Sequence, residues 1–340
     1  MAIRLVPILA AIVGLAVVGG LVVHFGAGAV VASLIAVGWL GFAAICLIHL
    51  GLIAVMGLAW RALLPGTNPL TAIWGRLVRD SGSEVLPLSQ VGGYVLGARA
   101  QIVAGISATA ATASTIVDVT IEFFAQIAYT ALSLALLLYL QPDAPIALPA
   151  EIGIAVAGGL AAAFFLVQRH GFDLFDRLAR ELGRGWADRT AASAAALHAA
   201  LATTYRRGRG LWISFGLHLG CWVASAVEVW LALRLAGAPL DFPVVLVIES
   251  LLYATRTVAF AVPNAVGVQE GAYILLGASF GLTPEMALAV SLLKRARDLT
   301  LGLPTLGAWQ LVESGRWSRR LAQRRAVVEQ PIARPTRPDA

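Results

Sequence analysis

Lys294, Arg295, Arg297 and Asp298 stand within five positions of a stretch, residues 284–312, that otherwise reads as one membrane-spanning helix. Lys294 lies ten residues into that stretch. At ~1.5 Å per residue this is ~15 Å, about the midplane of a hydrocarbon core. A single charge at a helix centre costs ~2.5–3.5 kcal/mol on insertion scales, so four charges facing lipid are not sustainable. On a helical wheel the four share one ~160° face, and Asp298 partly neutralises Lys294 at i+4 and Arg295 at i+3. A surplus of positive charge remains. On the stretch 111–140, Ser114, Asp118, Glu122 and Gln126 recur every four residues as one polar stripe of the opposite sign. The expectation is that Asp118 and Glu122 pair with the basic cluster across a shared interior.

Two readings of these charges stand. They are interior ion pairs that fix packing. Alternatively, Lys294, Arg295 and Arg297, with Arg256, hold an anionic or hydroxyl-rich lipid headgroup, since ionisable residues inside a membrane mark pathways and sites. Glu249, Glu270 and Arg99 are secondary candidates. Glu270 directly follows a PNAVG break (263–267), where it also suits the cap of a short helix.

The elements that must carry these residues are membrane helices. The 340-residue chain is 59% hydrophobic and 13% charged, against about 25% charged in soluble domains. Several apolar runs reach spanning length. The net charge of +6 reads as orientation and contact with anionic lipid; nucleic-acid binding has no folded soluble domain to perform it. Cys46 and Cys221 lie apart in apolar runs, and the five histidines show no ligand spacing, so no disulfide, metal or cofactor is expected.

The expected spans are 3–23, 30–61, 111–140, 150–168, 211–233 and 284–312. Residues 62–82 read as a polar loop. Residues 84–105, broken by Pro87 and Gly92–Gly93, and 243–280, broken at PNAVG, read as re-entrant hairpins, a form tolerated only within protein or along a cavity. Residues 169–210 read as a basic cytoplasmic segment, either an amphipathic surface helix or an ordinary solvated one. Residues 314–340 read as a basic, Pro-rich cytoplasmic tail after a membrane domain of 1–313. Counting Arg61, Arg76 and Arg79, eight Arg in 169–210 and seven after 313 as inside leaves only Arg234 outside, which places both termini in the cytoplasm.

The two broken segments resemble each other. GGYVLGA (92–98) lies on GAYILLGA (271–278), and VDVTIEF (117–123) on RDLTLGL (297–303), which matches Asp118 to Asp298. Units of about 30–140 and 211–312 then form an inverted-topology repeat, as in many secondary transporters. The fold class is all-α: about six full transmembrane helices and two re-entrant helical hairpins.

The stretch PNAVGVQEGAYILLGASFGLTPEMALAVSLLKRARDL, with GRLVRDSGSEVLPLSQVGGYVLGARA (75–100), resembles the hopanoid-biosynthesis-associated membrane proteins of the HpnL type. These lie within the flippase-like, lysylphosphatidylglycerol synthase transmembrane family. The family reads PGGxGxxE where this chain has Pro263-Asn264-Ala265-Val266-Gly267-Val268-Gln269-Glu270. The resemblance implies handling of a hopanoid or anionic phospholipid in the bacterial inner membrane. About 28 residues follow the last expected span, so the soluble aminoacyl-transferase domain of bifunctional relatives, and with it enzyme activity, is not expected. No GxxxxGK[ST] motif is present, so ATP hydrolysis is not expected either. An intramembrane lipid-modifying enzyme, with Asp118, Glu122, Glu270 or Asp298 as acid or base, and a scaffold for lipid-biosynthesis proteins remain as alternatives.

Overall fold

The structure, a computed structural model, describes residues 27–86, 89–140, 187–259 and 262–328, with isolated positions within 19–24 and 148–166. The expected spans 3–23 and 150–168, the basic stretch 169–186 and the residues after 328 lie wholly or largely outside the described residues. Helices α1 (Ala27–Leu63), α2 (Pro69–Val85), α3 (Ser89–Val103) and α4 (Ala108–Leu140) come first. Helix α5 (Ala187–Tyr205) follows, then α6 (Gly208–Leu235), α7 (Phe242–Val258), α8 (Val268–Ala278) and α9 (Pro284–Val328). A 3-10 turn, Pro263–Ala265, separates α7 from α8. Among the described residues there is no strand.

The polarity of this bundle is turned inside out. Arg76, Arg79, Lys294 and Arg297 are buried, whereas Trp39, Leu40, Tyr139 and Trp212 are exposed. Such an exposed apolar surface suits hydrocarbon, and the sections Leu34–Leu63, Ala108–Tyr139 and Gly208–Leu235 are long and apolar enough to cross a membrane.

Most expected boundaries hold within a few residues, with two corrections. Residues 62–82 are not a polar loop: the chain turns at 64–68 and then forms α2. Asn68 caps it, its side chain accepting from the Leu70 N–H at 2.9 Å, and Pro69 takes the first helical position. Ala72, Gly75, Arg76, Arg79 and Gly82 form its buried stripe at helical spacing. Arg76 and Arg79 therefore leave the count of cytoplasmic charges. The second correction concerns the first hairpin: helix α3 runs through Gly92–Gly93 without a break, so the helix pair is α2 and α3 rather than residues 84–105, while α7 and α8 form the pair expected at 243–280. Helix α9 continues past position 312 to Val328.

The second helix of each hairpin stops in the same way. Gly105 and Gly281 take positive φ, 104° and 78°, and the next residue's N–H returns to a carbonyl in the last turn: Ile106 to Gln101 and Leu282 to Gly277. At the PNAVG break, Asn264 and Ala265 occupy the left-handed region, φ 48° and 46°, which residues other than glycine rarely adopt.

The packing has a regular pattern. Helices α1 and α6 lie against each other. The pairs α1–α2, α2–α3, α3–α4, α1–α4, α2–α9 and α4–α6 touch. Exchanging helices 1, 2, 3 and 4 for 6, 7, 8 and 9 gives α6–α7, α7–α8, α8–α9, α6–α9, α4–α7 and α1–α9, which also touch. The main apolar core lies where α4, α6, α7, α8 and α9 meet, around Tyr129, Leu233, Ile248, Leu252 and Tyr273.

Close approach of α2 and α3 depends on Gly93. A Cβ there would fall 2.0 Å from Ser83 Oγ and 2.4 Å from the Arg79 carbonyl oxygen. The counterpart region around Gly271 is open. Gly93→Ala is expected to destabilise the purified protein by about 1–3 kcal/mol, and Gly271→Ala to leave it unchanged or slightly more stable. Thermal unfolding in detergent reads both.

Candidate functional site: a polar cavity between two broken hairpins

The acidic stripe of α4 meets cations from α2. Arg76 binds Glu122 through both terminal nitrogens, at 3.0 and 2.6 Å, and its Nε donates to Asp80 at 2.8 Å. Arg79 spans Asp118 (2.6 Å) and Glu122 (2.5 Å). From α6, His218 Nε2 lies 3.0 Å from the other oxygen of Asp118, and neither side chain is exposed. Bidentate and shared contacts of this kind are the stronger form of charged hydrogen bond.

The basic cluster of α9 meets carboxylates from α6, α7 and α8. Lys294 donates to Glu249 (2.7 Å) and to the Tyr273 hydroxyl (3.0 Å), which itself donates to Glu249. Arg295 binds Glu270 at 2.5 and 3.1 Å, while Glu270 accepts from the Gly267 N–H at 2.7 Å. Glu270 thus caps α8 and ties it to α9 at once. Arg297 reaches Glu228 on α6 and holds Asp298 at 2.6 Å. The second oxygen of Glu228 lies 2.9 Å from His49 Nδ1 on α1.

The tips of the hairpins meet. Arg256, at the end of α7, donates to Glu84 at the end of α2 at 2.8 and 2.9 Å, and to the Asn264 side-chain oxygen at 3.0 Å. The Asn264 amide donates to the Glu84 carbonyl at 2.7 Å. The left-handed turn at Asn264 aims its side chain at both partners.

Between these groups lies a cavity of about 210 Å³. Its walls come from α1, α2, α3, α4, α6, α7 and α9. Arg76, Arg79, Arg256 and Arg297 line it together with Asp80, Glu84, Glu122 and Asp298, and Tyr94, Trp222 and Tyr253 complete the lining of rings.

Of the residues singled out from sequence, Arg256, Arg297, Asp298 and Glu122 line this cavity. Lys294 and Asp118 are buried in the surrounding ion pairs, and Arg295 and Glu270 join α8 to α9. Arg99 is half-exposed and pairs with Glu313, away from the cavity. Two expectations are corrected. Asp118 and Glu122 do not pair with the Lys294–Asp298 cluster, because α2 supplies their cations. The cluster also has no surplus of positive charge, because Glu228, Glu249 and Glu270 meet it. Sequence reasoning passed over His49, His218, Glu228, Asp80 and Glu84. The signal for three of them was plain: His49, His218 and Glu228 are isolated ionisable residues in otherwise apolar spans.

Asp118, Glu122 and His218 bring three possible ligand atoms within 4.8 Å of one another. Both carboxylates already serve Arg76 and Arg79, and those guanidiniums would stand beside any metal ion. The arrangement suits a salt-bridge network better than a metal centre.

The pattern of the family described as the lysylphosphatidylglycerol synthase TM region matches residues 8–305. That is most of the chain, which belongs to this family. No curated protein matches the chain. No solved structure matches it either.

The pairing makes a direct prediction. Glu249→Gln leaves Lys294 buried with Tyr273 as its remaining partner, and is expected to cost about 3–5 kcal/mol. Glu249→Leu combined with Lys294→Met removes both charges and is expected to recover most of that loss. Thermal unfolding of the single and double variants in one detergent checks this.

Proposed function

We propose that this member of the family is a flippase-like lipid transporter of a bacterial inner membrane, acting on a hopanoid or another amphiphilic lipid. The headgroup enters the cavity between the hairpins, while the apolar body stays among the outer helix faces. Six full spans and two re-entrant hairpins, with both termini cytoplasmic, form two oppositely inserted copies of one unit. The exchange of helix contacts described above supports the two copies.

One observation carries the reading: a cavity lined by charged side chains from both hairpins, inside a bundle whose outer surface is apolar. Broken helices meeting at a shared site are the usual form of a transporter's binding region. The size of the cavity selects what enters. About 210 Å³ is below the ~300–1,000 Å³ of a site that encloses a drug-sized ligand, so it admits a headgroup and not a polycyclic body. The four arginines and four carboxylates that line it match in number. An anion would have to break existing ion pairs, whereas a hydroxyl-rich or net-neutral headgroup can hydrogen-bond between them. No catalytic step is part of this reading.

Purified protein in liposomes with fluorescent lipids tests it. Exposure of the label to a membrane-impermeant quencher measures movement between leaflets. Wild-type protein is expected to accelerate movement without changing the lipid's mass. Arg256→Gln weakens the contact of the hairpin tips and removes a charged donor from the cavity. One such hydrogen bond is worth about 1.5–3 kcal/mol, so a roughly tenfold or larger drop in rate is expected. Movement no faster than in protein-free liposomes contradicts transport, and a new lipid product by mass spectrometry favours the enzyme alternative.

A further inference from the structure

Away from the cavity, arginines from separate parts of the chain converge on one corner of the bundle. Arg61 stands in the last turn of α1. Arg206 and Arg207 form the link from α5 to α6, and Arg209 lies in the first turn of α6. The two segments are held against each other. Arg207 Nη1 donates to the Leu63 carbonyl at 3.4 Å, across 144 residues of chain. At Gly210 a Cβ would fall 2.6 Å from the Ala62 carbonyl oxygen, so only glycine lets α6 begin this close to the end of α1. An apolar knot beside them, of Leu63, Val117, Ile121 and Leu201 with Leu211 and Phe215 against it, ties α1, α4, α5 and α6 together.

These arginines differ from those of the cavity. Arg76, Arg79, Arg256 and Arg297 each hold a carboxylate. Arg61, Arg206, Arg207 and Arg209 are exposed, and none forms an ion pair among the described residues. Arg61 Nε donates to the Thr67 carbonyl at 2.9 Å, and Arg207 meets the carbonyl of Leu63, so both acceptors are neutral. The positive charge of the corner is uncompensated by the described part of the protein.

Apolar surface begins one turn further on. Trp212 and Ile213 follow Arg209 at i+3 and i+4, so they share its face of α6, ~4.5–6 Å along the axis. Both are exposed. Trp212 stands edge-on to Phe215 at 5.9 Å, and Phe215 packs on the knot, which fixes the indole in place. The stretches long and apolar enough to span end at Leu63 and begin at Gly208, so the arginines lie where both spans meet the boundary and Trp212 lies just within. Guanidinium groups followed inward by an indole match the order of phosphate, glycerol and acyl chain in a leaflet.

We propose that this corner is a binding site for an anionic phospholipid. The phosphate sits among Arg61, Arg206, Arg207 and Arg209, and the glycerol and first acyl carbons lie on Trp212 and Ile213. Guanidinium offers paired donors that fit phosphate oxygens. A free phosphate would use the arginines but has nothing to place on the exposed indole, whereas a lipid uses both. Orienting a chain across a membrane needs only an excess of cations on one side. It does not require that the ends of α1 and α5 and the start of α6 meet at one point with their arginines left without counter-charge. The site is separate from the cavity, and it stands whether or not the protein moves lipid.

Full-length protein in vesicles of phosphatidylcholine and phosphatidylglycerol tests this, with bromine carried on the acyl chains of one lipid or the other. Bromine quenches the tryptophan it touches, and the quenching that Trp212→Phe removes reports the lipid at Trp212. An arginine near an anionic surface is worth about fivefold in binding, so phosphatidylglycerol is expected to be preferred at Trp212 by roughly tenfold or more. Arg206→Gln combined with Arg209→Gln alters two exposed side chains that make no hydrogen bond among the described residues, and is expected to lower the preference about fivefold or more. Arg316→Gln combined with Arg319→Gln removes the same charge elsewhere, and is expected to leave the preference within about twofold of wild type. Equal quenching by the two lipids, an unchanged preference in the first double variant, or the same loss in the second overturns the proposal. Displacement of phosphatidylglycerol by an excess of inorganic phosphate also overturns it, by marking a site for the free anion.

Discussion

A charge held within an apolar slab must find its counter-charge inside the protein, and this requirement organises the whole bundle. Leaving a charge without a partner in the interior costs several kcal/mol, a large share of the ~5–15 kcal/mol that separates folded from unfolded protein. Apart from Arg76–Asp80 and the adjacent Arg297–Asp298, the buried pairs run between helices. They act as struts. Arg76 and Arg79 hold the first broken hairpin to α4, and Glu249 and Glu270 hold the second to α9. The sign reverses between the two: cations on the hairpin and anions on the long helix in one case, the opposite in the other. The second hairpin also buries apolar side chains in the main core, whereas the buried stripe of α2 is mostly small and charged residues, so the ion pairs matter most for the first.

The cavity follows from this arrangement. Two hairpins drawn inward by charge end with their tips in contact, at Arg256, Glu84 and Asn264, and polar side chains are left facing the space behind them. The strained turn at Asn264 and Ala265 belongs to the same device. An asparagine in the left-handed region is tolerated because its side chain is used, here by Arg256 and by the Glu84 carbonyl. In the proposed function this contact is where a lipid headgroup would part the hairpins.

Much of this was legible in the sequence, for local reasons. The four-residue spacing of Ser114, Asp118, Glu122 and Gln126 announces a helix face, and Pro263 to Gly267 announces a break. The partners were not legible. Which cation meets Asp118 depends on how helices pack, and Arg297 and Arg79 are equally suitable by type. The reading of 62–82 as loop followed from its Pro, Gly and charge content. The Asn68–Pro69 start signal and the stripe Ala72, Gly75, Arg76, Arg79, Gly82 argue for a helix and outweigh that content. Single ionisable residues such as Glu228, His49 and His218 look incidental one at a time. Their place becomes plain once the contacts are known: Glu228 meets Arg297 and His49, and His218 meets Asp118.

The meeting of the two hairpin tips is the claim on which the cavity stands, and site-directed cross-linking addresses it most directly. Cysteines placed at Glu84 and Asn264, with the native Cys46 and Cys221 buried, can be joined in membranes by mild oxidation or a short bifunctional thiol reagent. The account predicts rapid joining within one chain. Failure to join, with the two cysteines instead labelled freely by impermeant reagents from opposite faces of the membrane, would contradict it.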